Sequence, residues 1–81
     1  METILKFYSP LCGPCKVLEK NLQEAGVKYD SVNVFEDENN LADKYDIRSI
    51  PTLVKLSPSG ELIAKSTGVM TVEQIKIFCN G

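Results

Sequence analysis

Thr3-Ile-Leu-Lys-Phe-Tyr-Ser-Pro-Leu-Cys-Gly-Pro-Cys15 holds two kinds of local structure and the break between them. Thr3–Tyr8 is mostly apolar and β-prone with little alternation, which predicts a strand covered on both faces. Ser9-Pro10-Leu11 interrupts it. Proline is favoured in the first turn of a helix, so a helix is expected from about Gly13-Pro14. Cys15, Leu18, Leu22 and Ala25 then recur at helical spacing and define one buried face, while Lys16, Glu19, Lys20 and Gln23 point elsewhere. Gly26 is a natural stop.

Outward from this unit the pattern continues. Lys28–Val34 reads as a second strand. Glu36-Asp37-Glu38 precedes a short helix over about Asn39–Tyr45, where acidic side chains suit the positive end of the helix in a solvated setting. Ile47-Arg-Ser-Ile50 leads into Pro51, and Thr52–Leu56 is a third strand. Ser57-Pro-Ser-Gly60 is a turn, and Glu61–Ser66 a fourth strand, so strands three and four form an antiparallel hairpin. After Thr67-Gly68, Thr71 can cap a last helix with Val72, Ile75, Ile77 and Phe78 as its apolar contacts. The order is β-α-β-α-β-β-α. Its first half is a βαβ unit with parallel strands and a right-handed crossover. The expected architecture is an α/β fold, one four-stranded mixed sheet with helices on both faces.

Size and charge narrow the function. The chain has 81 residues, enough for a single domain over residues 1–81. Hydrophobic residues are 43% and charged residues 25%, the balance of an ordinary globular protein. A net charge of −2 argues against nucleic-acid binding, which calls for a basic face. No apolar run approaches the roughly 20 residues of a membrane span. Met1-Glu2 opens directly into strand-like sequence without a secretory signal, which points to the cytoplasm. There is no histidine, so the usual general base and the commonest metal ligand are missing.

Three cysteines remain, Cys12, Cys15 and Cys79. Cys12 falls where a strand ends and a helix begins, near unpaired amide N–H groups and the positive end of the helix dipole. Both favour thiolate over thiol. Cys15 lies inside the first helical turn, at a spacing that lets its sulfur reach that of Cys12. Pro14 stiffens the turn. This arrangement suits thiol–disulfide exchange, in which an exposed thiolate attacks a disulfide and a second thiol releases the mixed intermediate. Two other readings stand beside it. One is half of a zinc site, which would need two more ligands and has only Cys79 to offer. The other is a structural disulfide, though so tight a loop stabilises little.

Over nearly its whole length the sequence resembles a thioredoxin. Phe7-Tyr-Ser-Pro-Leu-Cys-Gly-Pro-Cys15 is similar to the active-site segment of that family. Leu41-Ala-Asp-Lys-Tyr-Asp-Ile-Arg-Ser-Ile-Pro-Thr52 is similar to the segment leading to its cis-proline. Gly60-Glu61 and Gly68-Val69 match its hairpin turn and a later glycine loop. The resemblance implies the thioredoxin fold and a protein-disulfide reductase, with Cys12 attacking and Cys15 resolving. It implies a cis Pro51 facing the disulfide, with Ile50 offering backbone hydrogen bonds to an extended substrate. Gly68-Val69 would form the neighbouring wall, and Leu11, Gly13 and Pro14 the lip of the groove.

The same resemblance implies disulfide-containing protein substrates, such as a ribonucleotide reductase or a peroxidase, and a flavin-containing thioredoxin reductase as electron donor. It implies a monomer with no metal and no cofactor beyond the redox-active Cys12–Cys15 disulfide. The chain also departs from the family. It is glutaredoxin-sized, and Leu11 stands where tryptophan is usual. Lys6 replaces a buried aspartate, and is expected to snorkel to the strand end, to stabilise a thiolate, or to act as a base if neutral. Cys79 reads as a small apolar filler. Two alternatives are a glutathione-dependent glutaredoxin and a redox-independent binding subunit. Against the first, Ser-Ile-Pro51 and Thr67-Gly-Val-Met70 replace the usual glutaredoxin signatures.

Overall fold

β1 (Thr3–Tyr8) and β3 (Thr52–Leu56) form the middle of the sheet in a computed structural model that describes residues 2–80. β2 (Asp30–Asn33) flanks β1 in parallel, and β4 (Leu62–Thr67) flanks β3 antiparallel, giving the order β2-β1-β3-β4. The helices are α1 (Gly13–Ala25), α2 (Leu41–Lys44) and α3 (Val72–Asn80). The expected element order and mixed sheet are both present.

Alternation along the two central strands divides the core. Ile4 and Leu53 pack with Leu18 and Leu22 of α1, Ile75 of α3, and Met70. Leu5, Phe7, Val54 and Leu56 face the other way, against Tyr45, Val34, Leu41, Ile47 and Ile50. Both faces are covered, which accounts for the apolar, weakly alternating sequence of β1.

Several boundaries differ from expectation. β2 is shorter than Lys28–Val34, because pairing with β1 begins at Leu5 and Asp30. Before that point the chains diverge around a depression of about 510 Å³ lined by Glu2–Ile4 and Val27–Asp30. α2 is a single turn instead of Asn39–Tyr45. Asn40 is left-handed at φ 53°, and the Asp37 carboxylate accepts from the Leu41 and Ala42 amides at 2.9 and 2.8 Å. Asp37 is therefore a specific cap, while Glu36 and Glu38 are exposed. In α3 Ile75 is buried, Phe78 and Cys79 pack half-buried beside it, and Ile77 turns outward. Thr71 caps this helix as expected: its hydroxyl accepts from the Gln74 amide at 3.1 Å, and Gln74 Oε1 accepts from the Thr71 amide at 3.0 Å.

Leu22 has no exposed surface, so Leu22→Ala should cost about 2–5 kcal/mol of unfolding free energy. Thr71→Ala should cost about 1 kcal/mol. Urea denaturation of the two variants against the parent protein checks both values and their order.

Candidate active site

Strand register determines which loops meet. Phe7 pairs with Thr52, Thr52 with Thr67, and Tyr8 with Asn33. The residues just beyond these positions, 9–12, 34–35, 50–51 and 68–69, therefore share one end of the sheet. That end holds Cys12 and Cys15.

Cys12 is the N-cap of α1, with extended backbone, and its amide donates to Ser9 O at 3.1 Å. The Cys15 amide donates to Cys12 Sγ at 3.1 Å. One of the helix's unpaired N–H groups is thus satisfied by the sulfur itself. No acidic residue lies in the first turn to offset the positive helix end, so the setting favours negative charge on Cys12. The two cysteines form a disulfide with their Cα atoms 5.2 Å apart. Cys12 is half-buried, whereas Cys15 is only 2% exposed.

The Ile50–Pro51 peptide is cis, and Pro51 is buried. Pro51 O accepts from the Gly68 amide at 2.8 Å, which ties the two loops expected to form the groove. Gly68 has φ 97°, a conformation that side chains rarely tolerate. Leu11 is 91% exposed and Val69 45%, while Gly13 and Pro14 are exposed and Ile50 is half-buried. Phe35, 73% exposed just after β2, lies at the same end of the sheet, a place that its sequence neighbours alone do not assign to it. Its signal was an aromatic set directly between an apolar strand and the acidic run 36–38. A shallow depression of about 210 Å³ beside Ile50 is lined by Val34, Ala42, Ile47, Arg48 and Ser49.

Lys6 does not snorkel to the strand end. It is 2% exposed, with Nζ 4.7 Å from the Tyr8 ring centre, 5.3 Å from that of Tyr29 and 3.6 Å from Glu19 Oε2. Cys79 packs half-buried against the core, remote in sequence from the disulfide. Burial pushes its thiol above the ordinary value, and the nearby Lys55 ammonium partly offsets this. Among the described residues, no three His, Cys, Asp or Glu side chains gather as a metal site, and no helix is long and apolar enough to cross a membrane.

A raised pKa leaves Cys79 with less thiolate than a free cysteine at pH 7–8. Iodoacetamide should therefore label Cys12 of the reduced protein first, with Cys79 reacting later and faster as the pH is raised. Peptide mapping over a pH series checks this. Early label on Cys79 would contradict it.

The thioredoxin family model matches residues 1–80. A thioredoxin of Bacillus subtilis is 42% identical over 79 residues, covering 91% of this chain and 75% of the relative. One of Haemophilus influenzae is 36% identical over 83 residues, covering 95% and 76%. Among solved structures, a thioredoxin variant from Halobacterium salinarum superimposes with a TM-score of 0.83 at 25% identity, covering 98% of this chain and 72% of that one. A family match along almost the whole chain, on a fold that joins its two cysteines where a strand passes into a helix, establishes that the chain belongs to the thioredoxin family and is a thiol–disulfide oxidoreductase that reduces protein disulfides by dithiol–disulfide exchange.

Proposed function

We propose that Cys12 attacks and Cys15 resolves, and that the surface around them binds an extended segment of the substrate protein. The observation that carries the assignment is the contrast between the pair: Cys12 is accessible at the helix start and receives an amide N–H, whereas Cys15 is enclosed. In the reduced protein the Cys12 thiolate attacks one sulfur of the substrate disulfide, and the other sulfur leaves with the bonding pair and takes a proton. Cys15 then loses its proton and attacks Cys12 Sγ. The substrate's second thiolate leaves, and the protein is oxidised by two electrons.

Leu11, Gly13, Pro14, Ile50, Pro51, Gly68 and Val69 form the binding surface in this reading, with Ile50 supplying backbone hydrogen bonds. Phe35 extends it on the β2 side. The pair is the only redox group required, and a flavin-containing thioredoxin reductase recharges it. Enzymes whose cycle leaves a disulfide, such as a ribonucleotide reductase or a peroxidase, are the targets. The protein works as a cytoplasmic monomer.

Thiolate formation alone supplies little rate. A thiol of pKa about 8.5 is roughly 3% ionised at pH 7, and lowering it to about 7, the value familiar for thioredoxins, gains about 16-fold. The weaker nucleophilicity of the more acidic thiol takes back nearly fivefold. The net is about threefold, so holding the substrate disulfide in line with Cys12 must supply most of the advantage.

Two experiments test this reading. Cys15→Ser should trap mixed disulfides through Cys12, and recovering none on exposure to disulfide-bonded insulin would refute the dithiol assignment. Val69→Glu or Leu11→Glu should slow insulin reduction about tenfold, equivalent to about 1.4 kcal/mol, while leaving reduction of a small aromatic disulfide nearly unchanged. Equal slowing of both substrates would place the groove elsewhere.

A further inference from the structure

A depression of about 430 Å³ opens between β4 and α3. Ser66, Thr67 and Val69 line one side of it. Gln74, Ile77 and Phe78 line the other, as one stripe of α3 at i, i+3 and i+4. Met70, itself buried, completes the lining. None of these side chains is charged. Ile77 is 71% exposed and Val69 45%, so hydrocarbon faces water on both sides of the depression.

The depression is continuous with the substrate groove. Val69 belongs to both, as wall of the proposed groove and as lining here. Its segment is fixed from two sides. The Gly68 amide donates to Pro51 O at 2.8 Å, and the Asn21 side chain of α1 donates to Met70 O at 2.8 Å. An extended chain that leaves Cys12 past Val69 also meets the edge of β4. That strand pairs with β3 on one side, and among the described residues no strand pairs with the other. Edge strands are usually guarded by lysine, proline or a bulge. Leu62–Thr67 has no proline, and its bulge lies at the end remote from the cysteines, opposite Lys55 and Leu56. Lys65 does not guard the edge either, because its ammonium donates to Tyr45 O and Asp46 O.

We propose that this depression is a side-chain subsite of the groove. It takes a large apolar residue, such as leucine or phenylalanine, a few residues from the disulfide of an extended protein substrate. The bound chain lies against the edge of β4, whose outward amides and carbonyls give affinity without regard to sequence, while the depression selects the side chain. Met70 has an unbranched thioether that adapts to residues of different shape. Gln74 Oε1 is held by the Thr71 amide at 3.0 Å, which leaves the Gln74 NH2 to donate to a carbonyl of the bound chain. Because residues 68–70 are already fastened, little order is lost on binding. The substrates favoured are disulfides set in apolar, extended segments. A small disulfide that does not reach past Val69 gains nothing.

The subsite rests on the groove reading, and one peptide series tests the two separately. Short peptides closed by a single intramolecular disulfide carry leucine or glycine at one position, scanned over the four residues on either side of the ring. Reduced protein is mixed with each and quenched in acid, and the peptide that has gained two hydrogens is measured by mass. At one position leucine should be reduced about fivefold faster than glycine, the gain from burying such a side chain in part. Ile77→Glu, on the exposed face of α3, should bring that ratio to about one and make lysine at the same position better than leucine. Comparing ratios within one variant cancels any general loss of reactivity. In Cys15→Ser protein holding the peptide on Cys12 as a mixed disulfide, the amide NMR signals of Ser66, Thr67 and Gln74 should shift more for the leucine peptide than for the glycine one.

A ratio of about one at every position in the parent protein would overturn the subsite and leave the groove standing. So would a leucine preference that Ile77→Glu retains, or shifts confined to residues 34–35 and 47–50, which would put the contact on the β2 side. Failure of Cys15→Ser to hold either peptide on Cys12 would undo the groove reading and the subsite with it.

Discussion

Everything at the active end depends on how β3 is paired. It is buried at all five positions and hydrogen-bonded on both sides, to β1 and to β4. A slip of one residue against either neighbour would reverse its side chains. Leu53 would leave the cluster under α1 and α3, and the Lys55 ammonium would be driven into the apolar cluster around Phe7 and Tyr45. The second change would strip the buried ammonium of its Phe78 and Glu2 partners, at a cost of several kcal/mol. The same register brings residues 9–12, 50–51 and 68–69 level, so core packing and assembly of the site are one constraint.

The two faces are held in different ways. Under α1 and α3 the sheet meets long helices with regular apolar stripes. The other face has only the single turn of α2, and irregular chain does much of the covering through Val34, Ile47 and Ile50. Polar side chains secure this less regular layer. Tyr45 donates from its hydroxyl to Gly60 O at 3.0 Å, and Lys65 donates to the carbonyls of Tyr45 and Asp46 at 3.3 and 2.9 Å. These bonds tie edge strand β4 to the segment that leads into Pro51.

Much of this was legible in the residues. The strand–helix junction, the buried stripe of α1 and the limits of β3 follow from local signals: Pro14 in a first turn, apolar residues at helical spacing, and a β-prone run bounded by Pro51 and a turn. The cysteine pair was legible for the same reason, since its partners are three residues apart. What escaped depends on distant partners. α2 is shorter than its residue pattern suggests because Asp37 caps it from four residues before Leu41 and leaves Asn40 outside the helix. Ile77 looked like core because its type is apolar, but it stands roughly 200° around the helix from Ile75. Lys6 could not be placed from its own neighbours, because what encloses it comes from α1 and from Tyr29.

The sulfur at the start of α1 has a further consequence. Cys12 Sγ is at once the reacting atom and the acceptor for the Cys15 amide. A sulfur keeps a lone pair as thiolate, as mixed disulfide and as intramolecular disulfide, so that amide has an acceptor in every redox state the atom visits. The helix need not fray and re-form as electrons pass through it. Turnover can therefore proceed on a nearly stationary backbone, with the motion confined to rotation about two cysteine side chains.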